Sequence, residues 1–139
     1  MNPARVATRG LEVNNACPGQ LGDYALAFNK MSRDHAGVGH ANIQFVPGAK
    51  TEGVLYELSC SAEILKMDPF ERAPWYYGRE AVEIDHARGR TWAWTYFANP
   101  AVLCDGLLPT QEYLQHLLAG REFLSEQYYA ELLTWQRPG

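Results

Sequence analysis

An excess of positive charge is the first thing this chain lacks. Its 139 residues carry 12 Lys and Arg against 16 Asp and Glu, a formal net charge of −4. A phosphate backbone selects basic stripes, so no nucleic-acid partner is expected. Long apolar runs are missing too. No stretch approaches the roughly 18 residues that a membrane helix needs, and the N-terminus lacks the charged, apolar and small-residue order of a secretory signal. No membrane partner is expected, and a cytoplasmic location fits. Cysteine is sparse: Cys17, Cys60 and Cys104 lie far apart, with no CxxC pair to suggest a zinc site and an odd number that argues against a disulfide framework. They are expected to be small buried hydrophobes. His35, His40, His86 and His116 show neither HxxxH spacing nor an acidic ligand cluster beside them. No metal and no cofactor are expected.

What is present is an ordinary core-forming composition, 47% apolar and 20% charged, which suits one compact domain over residues 1–139 without repeats or linkers. Asn2 followed by Pro3 reads as a helix start, since Asn caps orphan N–H groups and Pro fits the first turn. A short helix is expected over 2–9. "LEVNNAC" and "DYALAFNK" read as strands separated by the turn signal "PGQLG", and "GHANIQFV" and "TEGVLYEL" as two more separated by "PGAK". "SAEILKM" suggests a helix capped by Ser59 or Ser61 and stopped near Asp68 by Pro69. Two longer strands follow over 75–85 and 90–98, joined by "HARG". In the second, Trp92, Trp94 and Tyr96 share a face, opposite Ala93, Thr95 and Phe97. Such an aromatic row reads as core or helix-facing surface before it reads as a ligand platform. From Thr110 the pattern gives two helices, the first ended by Gly120 and the second capped by Ser125. Six strand candidates interrupted by one helix and followed by two more define an α+β class, built around a small mixed β-barrel or a strongly twisted sheet flanked by helices.

One carboxylate stands out. In "KMDPFERAPWYY", Asp68 is able to cap a turn, with Glu71 as the capping-box acid reaching back to it. Pro74, however, ends any such helix within three residues, which leaves little to cap. Glu71 then sits on a turn among Phe70, Trp75, Tyr76 and Tyr77. Aromatic surroundings desolvate a carboxylate and raise its pKa toward the range of acid/base catalysis.

Taken in order, "DYALAFNK", "GHANIQFVPG", "EGVLYEL", "LKMDPFE", "YYGREAVEI", "TWAWTYFAN" and "LPTQEYLQHLLAGREF" cover nearly the whole chain. In this order the sequence resembles the γ-glutamylcyclotransferases and their relatives. The resemblance implies a small mixed β-barrel with flanking helices, a Tyr-Gly-Ser-Asn loop after the first strand, and an acidic residue just after the first long helix. By that likeness Glu71 is the catalytic acid/base, and Tyr113 and Tyr77 line the substrate cavity. Met1 stands just after the position of the loop and is carried as a substrate-binding residue. The first strand and loop of the family are then expected to be absent from these residues, a late start codon being the leading explanation. Arg72 occupies a position where the family commonly has Gly, which places a cation beside the acid.

The implied partner is a small-molecule γ-glutamyl amino acid, peptide or amine, from which 5-oxoproline is released by intramolecular attack of the α-amino group. No cofactor is implied. A non-catalytic binding or scaffold protein on the same fold is the alternative, and a homodimer is left open. Arg33, Arg72 and Arg79 are each expected on the solvated surface, with an anionic leaving group as the competing role.

Overall fold

The computed structural model describes residues 2–135. Helix α1 (Pro3–Thr8) starts as its first two residues dictate: the Asn2 Oδ1 accepts from the Ala4 N–H at 3.1 Å, and Pro3 fills the first turn. Strands β1 (Val13–Met31) and β2 (Gly39–Leu58) follow, and then β3 (Tyr77–His86) and β4 (Gly89–Ala98). They form one four-stranded antiparallel sheet in the order β2-β1-β3-β4. The twisted-sheet form of the expectation therefore holds and the barrel form does not, because the sheet is not closed. Its one parallel pairing among the described residues is an isolated bridge, Val38 to Leu108, outside the named strands.

Four short strands were expected where β1 and β2 stand. Their turn signals act as bends within two long strands. A proline is accommodated where one side of a strand is largely unpaired. Pro18 pairs with Val54 on β2, while β1 meets β3 in register only at Gln20 and Asp85. Gly19 allows this crossing, since a Cβ there would stand 2.8 Å from the Ile84 Cγ2. In β2, residues 46–49 form an extra bulge opposite Asp23. Asp23 and Gly48 both take positive φ, 67° and 84°, and the Asp23 Oδ1 accepts from the Gly48 N–H at 2.9 Å. The chain turns a corner here without reversing.

The segment expected as a helix is a 3-10 turn, Ser61–Lys66, whose N-cap is Cys60 with no side-chain bond, so neither Ser59 nor Ser61 caps it. Its anchor is Glu63, which accepts from the Glu12 N–H at 2.8 Å and pairs with Lys66 at 2.8 Å. The β3–β4 hairpin matches its expectation closely, with unbroken register from Tyr77 opposite Ala98 to His86 opposite Gly89. Helices α2 (Gln111–Leu118) and α3 (Glu126–Leu133) are capped by Thr110 and Ser125. Leu114, Leu117, Leu118, Tyr128 and Leu132 pack with Phe28 of β1 as the core, and Trp135 meets Phe28 at 4.9 Å. The buried Glu52 of β2 binds the Ser125 N–H and hydroxyl at 2.8 and 2.7 Å, tying α3 to the sheet.

Because both helices cover the Phe28 end of the sheet, β4 is left as an open edge. Trp92 and Trp94 are 66% and 49% exposed, which corrects the expectation that the aromatic row is core or helix-facing. Cover increases along β4: Tyr96 of the same row is half-buried, Phe97 meets Tyr24 at 5.6 Å and Ala98 is buried. The cysteine expectation also fails: Cys17 is half-buried, and Cys60 and Cys104 are exposed on the connections that carry them.

Candidate active site

A cavity of about 1340 Å³ is lined by residues of all four strands together with residues of α1, α2 and α3, and Glu71, Tyr77 and Tyr113 stand on its wall. Glu71 stands on the turn that the two prolines impose. Its backbone N–H reaches the Met67 carbonyl at 3.2 Å, and the next residue, Arg72, has φ 51°. Positive φ is natural for Gly and strained for other residues, so the geometry explains why glycine suits the position after the acid. Arg72 does not pair with Glu71. The partner is Arg9, whose Nη1 lies 3.2 Å from the Glu71 Oε1 while its guanidinium covers the Phe70 ring at 5.0 Å. The Glu71 side chain keeps 25% exposure.

Asp68, three residues earlier, does not serve as a cap. It accepts from the Arg79 Nε at 2.9 Å and from the Tyr96 hydroxyl. Burial opposes its charge, yet the Tyr96 hydroxyl and the Arg79 guanidinium together hold its carboxyl below the usual range. The capping-box reading of the pair is thereby overturned: Asp68 locks the turn to β3 and β4, and Glu71 faces the cavity. Arg79, expected in solvent, is paired with Asp68 and stacks on Trp94 at 4.4 Å.

Tyr77 and Tyr113 converge on one backbone unit of β2. The Tyr77 hydroxyl donates to the Ala41 carbonyl at 2.9 Å, and the Ala41 N–H donates to the Tyr113 hydroxyl at 3.1 Å. Tyr113 thus keeps its own proton for another acceptor. Burial raises both phenol pKa values, that of Tyr77 far above the ordinary range, and the charge of Glu71 adds to each. Both are neutral near pH 7. Met1 lies outside the described residues.

Three residues here have no expected role from the sequence. Arg9 ends α1, which is itself held to α2 by the Asn2 Nδ2 donating to the His116 Nδ1 at 3.1 Å. Lys30 and His40 are opposed cross-strand partners on β1 and β2. His40 stacks on Tyr113 at 4.9 Å with the rings 17° apart. Burial, then Lys30 and Arg5, push its imidazole pKa below the usual value against the opposing charge of Asp34. Lys30 is only 5% exposed. Among the described residues there is no group of three or more His, Cys, Asp or Glu able to hold a metal ion, and no helix long and apolar enough to cross a membrane.

Solved structures that share the fold include YkqA from Bacillus subtilis, with 20% identity and a TM-score of 0.79 over 96% of this chain and 49% of that one, so the chain spans about half the length of YkqA. The human uncharacterized protein loc79017 matches with 21% identity and a TM-score of 0.78, over 96% of this chain and 81% of that chain. A gamma-glutamyl cyclotransferase matches with 20% identity and a TM-score of 0.78, over 99% and 83%. No curated protein sequence matches. The family model described as gamma-glutamyl cyclotransferase, AIG2-like, matches residues 12–120, and the chain belongs to that family.

Proposed function

We propose that the protein is a γ-glutamylcyclotransferase that releases 5-oxoproline from a γ-glutamyl amino acid, peptide or amine, with Glu71 as general acid/base. The observation that carries this reading is the convergence of one partly exposed carboxylate and two neutral phenols on a single cavity. The substrate holds both its nucleophile and its electrophile, so positioning supplies much of the rate. The α-amino nitrogen forms a bond to the γ-carbonyl carbon and gives a proton to the Glu71 carboxylate. Glu71 returns that proton to the leaving nitrogen as the old amide C–N bond breaks. Tyr113, with its proton unspent, donates to a substrate oxygen, and Arg9 fixes the orientation of the acid.

The Arg9 ion pair also supports a second reading, in which Glu71 is a structural carboxylate and the protein binds a ligand without turning it over. Glu71→Gln separates the two. For the enzyme, 5-oxoproline release at saturating substrate falls by about 10² or more while the fold survives, because Gln hydrogen-bonds but cannot exchange a proton. Full activity in the variant eliminates Glu71 as the acid/base.

A further inference from the structure

Three cations gather around one ring beside Glu71. The Lys30 Nζ lies 4.8 Å from the centre of the Tyr76 ring, with the Arg33 and Arg72 guanidiniums at 5.6 and 5.8 Å. Among the described residues none of the three forms an ion pair. Lys30 is buried, whereas Arg33 and Arg72 stand exposed at the rim. A buried ammonium without a carboxylate is costly, and like charges held together add to that cost. Contact with the faces of Tyr76 and Tyr77 offsets only part of it. Burial and then the charge of Arg33 push the Lys30 pKa below its usual value, with Glu71 opposing. That nearby carboxylate is already held by Arg9 at 3.2 Å, and His40, directly across from Lys30, faces it without negative charge. An arrangement of uncompensated charge on a cavity wall is suited to an anionic ligand.

We infer that Lys30, Arg33 and Arg72 around Tyr76 form a carboxylate-binding subsite, which, on the proposed function, holds a carboxylate of the γ-glutamyl substrate beside Glu71. Guanidiniums at the rim match a planar carboxylate, and the buried ammonium supplies a point charge at the bottom. Two carboxylates qualify by chemistry: the α-carboxylate of the glutamyl part, and that of an amino acid carried as leaving group.

Binding tests the subsite without turnover. Titrate 5-oxoproline, its neutral carboxamide and inorganic phosphate into the protein, into Lys30→Met, which keeps most of the side-chain stem, and into the rim variant Arg33→Met. The expected result is that 5-oxoproline binding weakens about tenfold or more in Lys30→Met and less in Arg33→Met, while carboxamide binding is unchanged. Unchanged or absent 5-oxoproline binding together with an unmoved KM for a γ-glutamyl amino acid in Lys30→Met, equal losses for the carboxamide, or phosphate bound in preference to the carboxylate would each overturn the subsite.

Kinetics then identifies which carboxylate is held. A raised KM in Lys30→Met for both a γ-glutamyl amino acid and a γ-glutamyl alkylamide assigns the α-carboxylate. A raised KM for the amino acid alone assigns the leaving group. If neither substrate yields 5-oxoproline but carboxylate binding still depends on Lys30, the proposed reaction fails and the subsite stands. If turnover is normal and KM is unmoved in Lys30→Met, the subsite fails and the reaction stands.

Discussion

The two halves of the sheet are built to different rules. β3 and β4 pair without a register shift over the whole hairpin, and their outer part carries Trp92 and Trp94 into solvent. β1 and β2 shift register three times, bend at Asp23 and Gly48, and lie under the helices. Lys30, His40 and Ala41 come from this irregular half, as does Tyr113 from the helix packed on it. A regular ladder fixes every side chain to one of two faces, whereas bulges re-aim individual residues. Irregularity in this fold is what brings Lys30 and His40 to the cavity wall, whereas Tyr77 reaches it from the first rung of the regular hairpin.

The largest stability effect that breaks the contrast is expected at Gly48. It holds φ 84°, and a Cβ there would meet nothing within 4 Å, so substitution acts through backbone strain alone. Gly48→Val is expected to destabilise by about 2 kcal/mol, since left-handed geometry penalises a β-branched residue most. Gly22→Val serves as the control, being equally uncrowded without positive φ. Equal denaturant midpoints for the two variants would show that the corner is not strained.

Asp68 comes next and sharpens the comparison, because it joins the turn bearing Glu71 to the regular hairpin through Arg79 and Tyr96. Asp68→Asn keeps an acceptor oxygen but loses the charge, for an expected cost of about 1 kcal/mol near neutral pH. The sign in pH follows from its depressed pKa. The contribution is fully present above the unfolded value of about 4 and is lost as pH falls through the lower folded value. Unfolding measured as a function of pH should therefore show the gap between native protein and variant closing in acid. A gap that stays constant would assign the loss to shape and not to charge.

The same contrast explains what was legible in the sequence. The hairpin was readable because its residues alternate and "HARG" makes a short turn. The caps at Asn2 and Ser125 were readable because capping is local. The place of Glu71 on an isolated turn was readable because Pro69 and Pro74 flank it within a few residues. Its partner Arg9 was not, since that contact spans 62 positions and leaves no local pattern. Lys30 was hidden by a register shift between Ala27 and Lys30, which breaks the period-two rule that would have placed it on a face. "PGQLG" and "PGAK" misled for a related reason: their residues signal a bend, and only long-range pairing decides whether the chain reverses or continues.

The smallest expected effect is at Trp92, and it tests whether the regular half is tolerant because it is open. Trp92 is 66% exposed on the edge strand, opposite Glu83 in the ladder, and no ring stacking or cation contact involves it among the described residues. Thr retains strand preference while removing the indole, so Trp92→Thr is expected to change stability by no more than about 0.5 kcal/mol. Trp94→Thr should cost more, because the Arg79 guanidinium stacks on that ring at 4.4 Å while it also pairs with Asp68. Denaturant unfolding of both variants checks the order. If Trp92→Thr proved the more damaging, the outer face of β4 would have to be covered in solution, and the tolerance assigned to the hairpin would belong instead to a surface that another element or molecule protects.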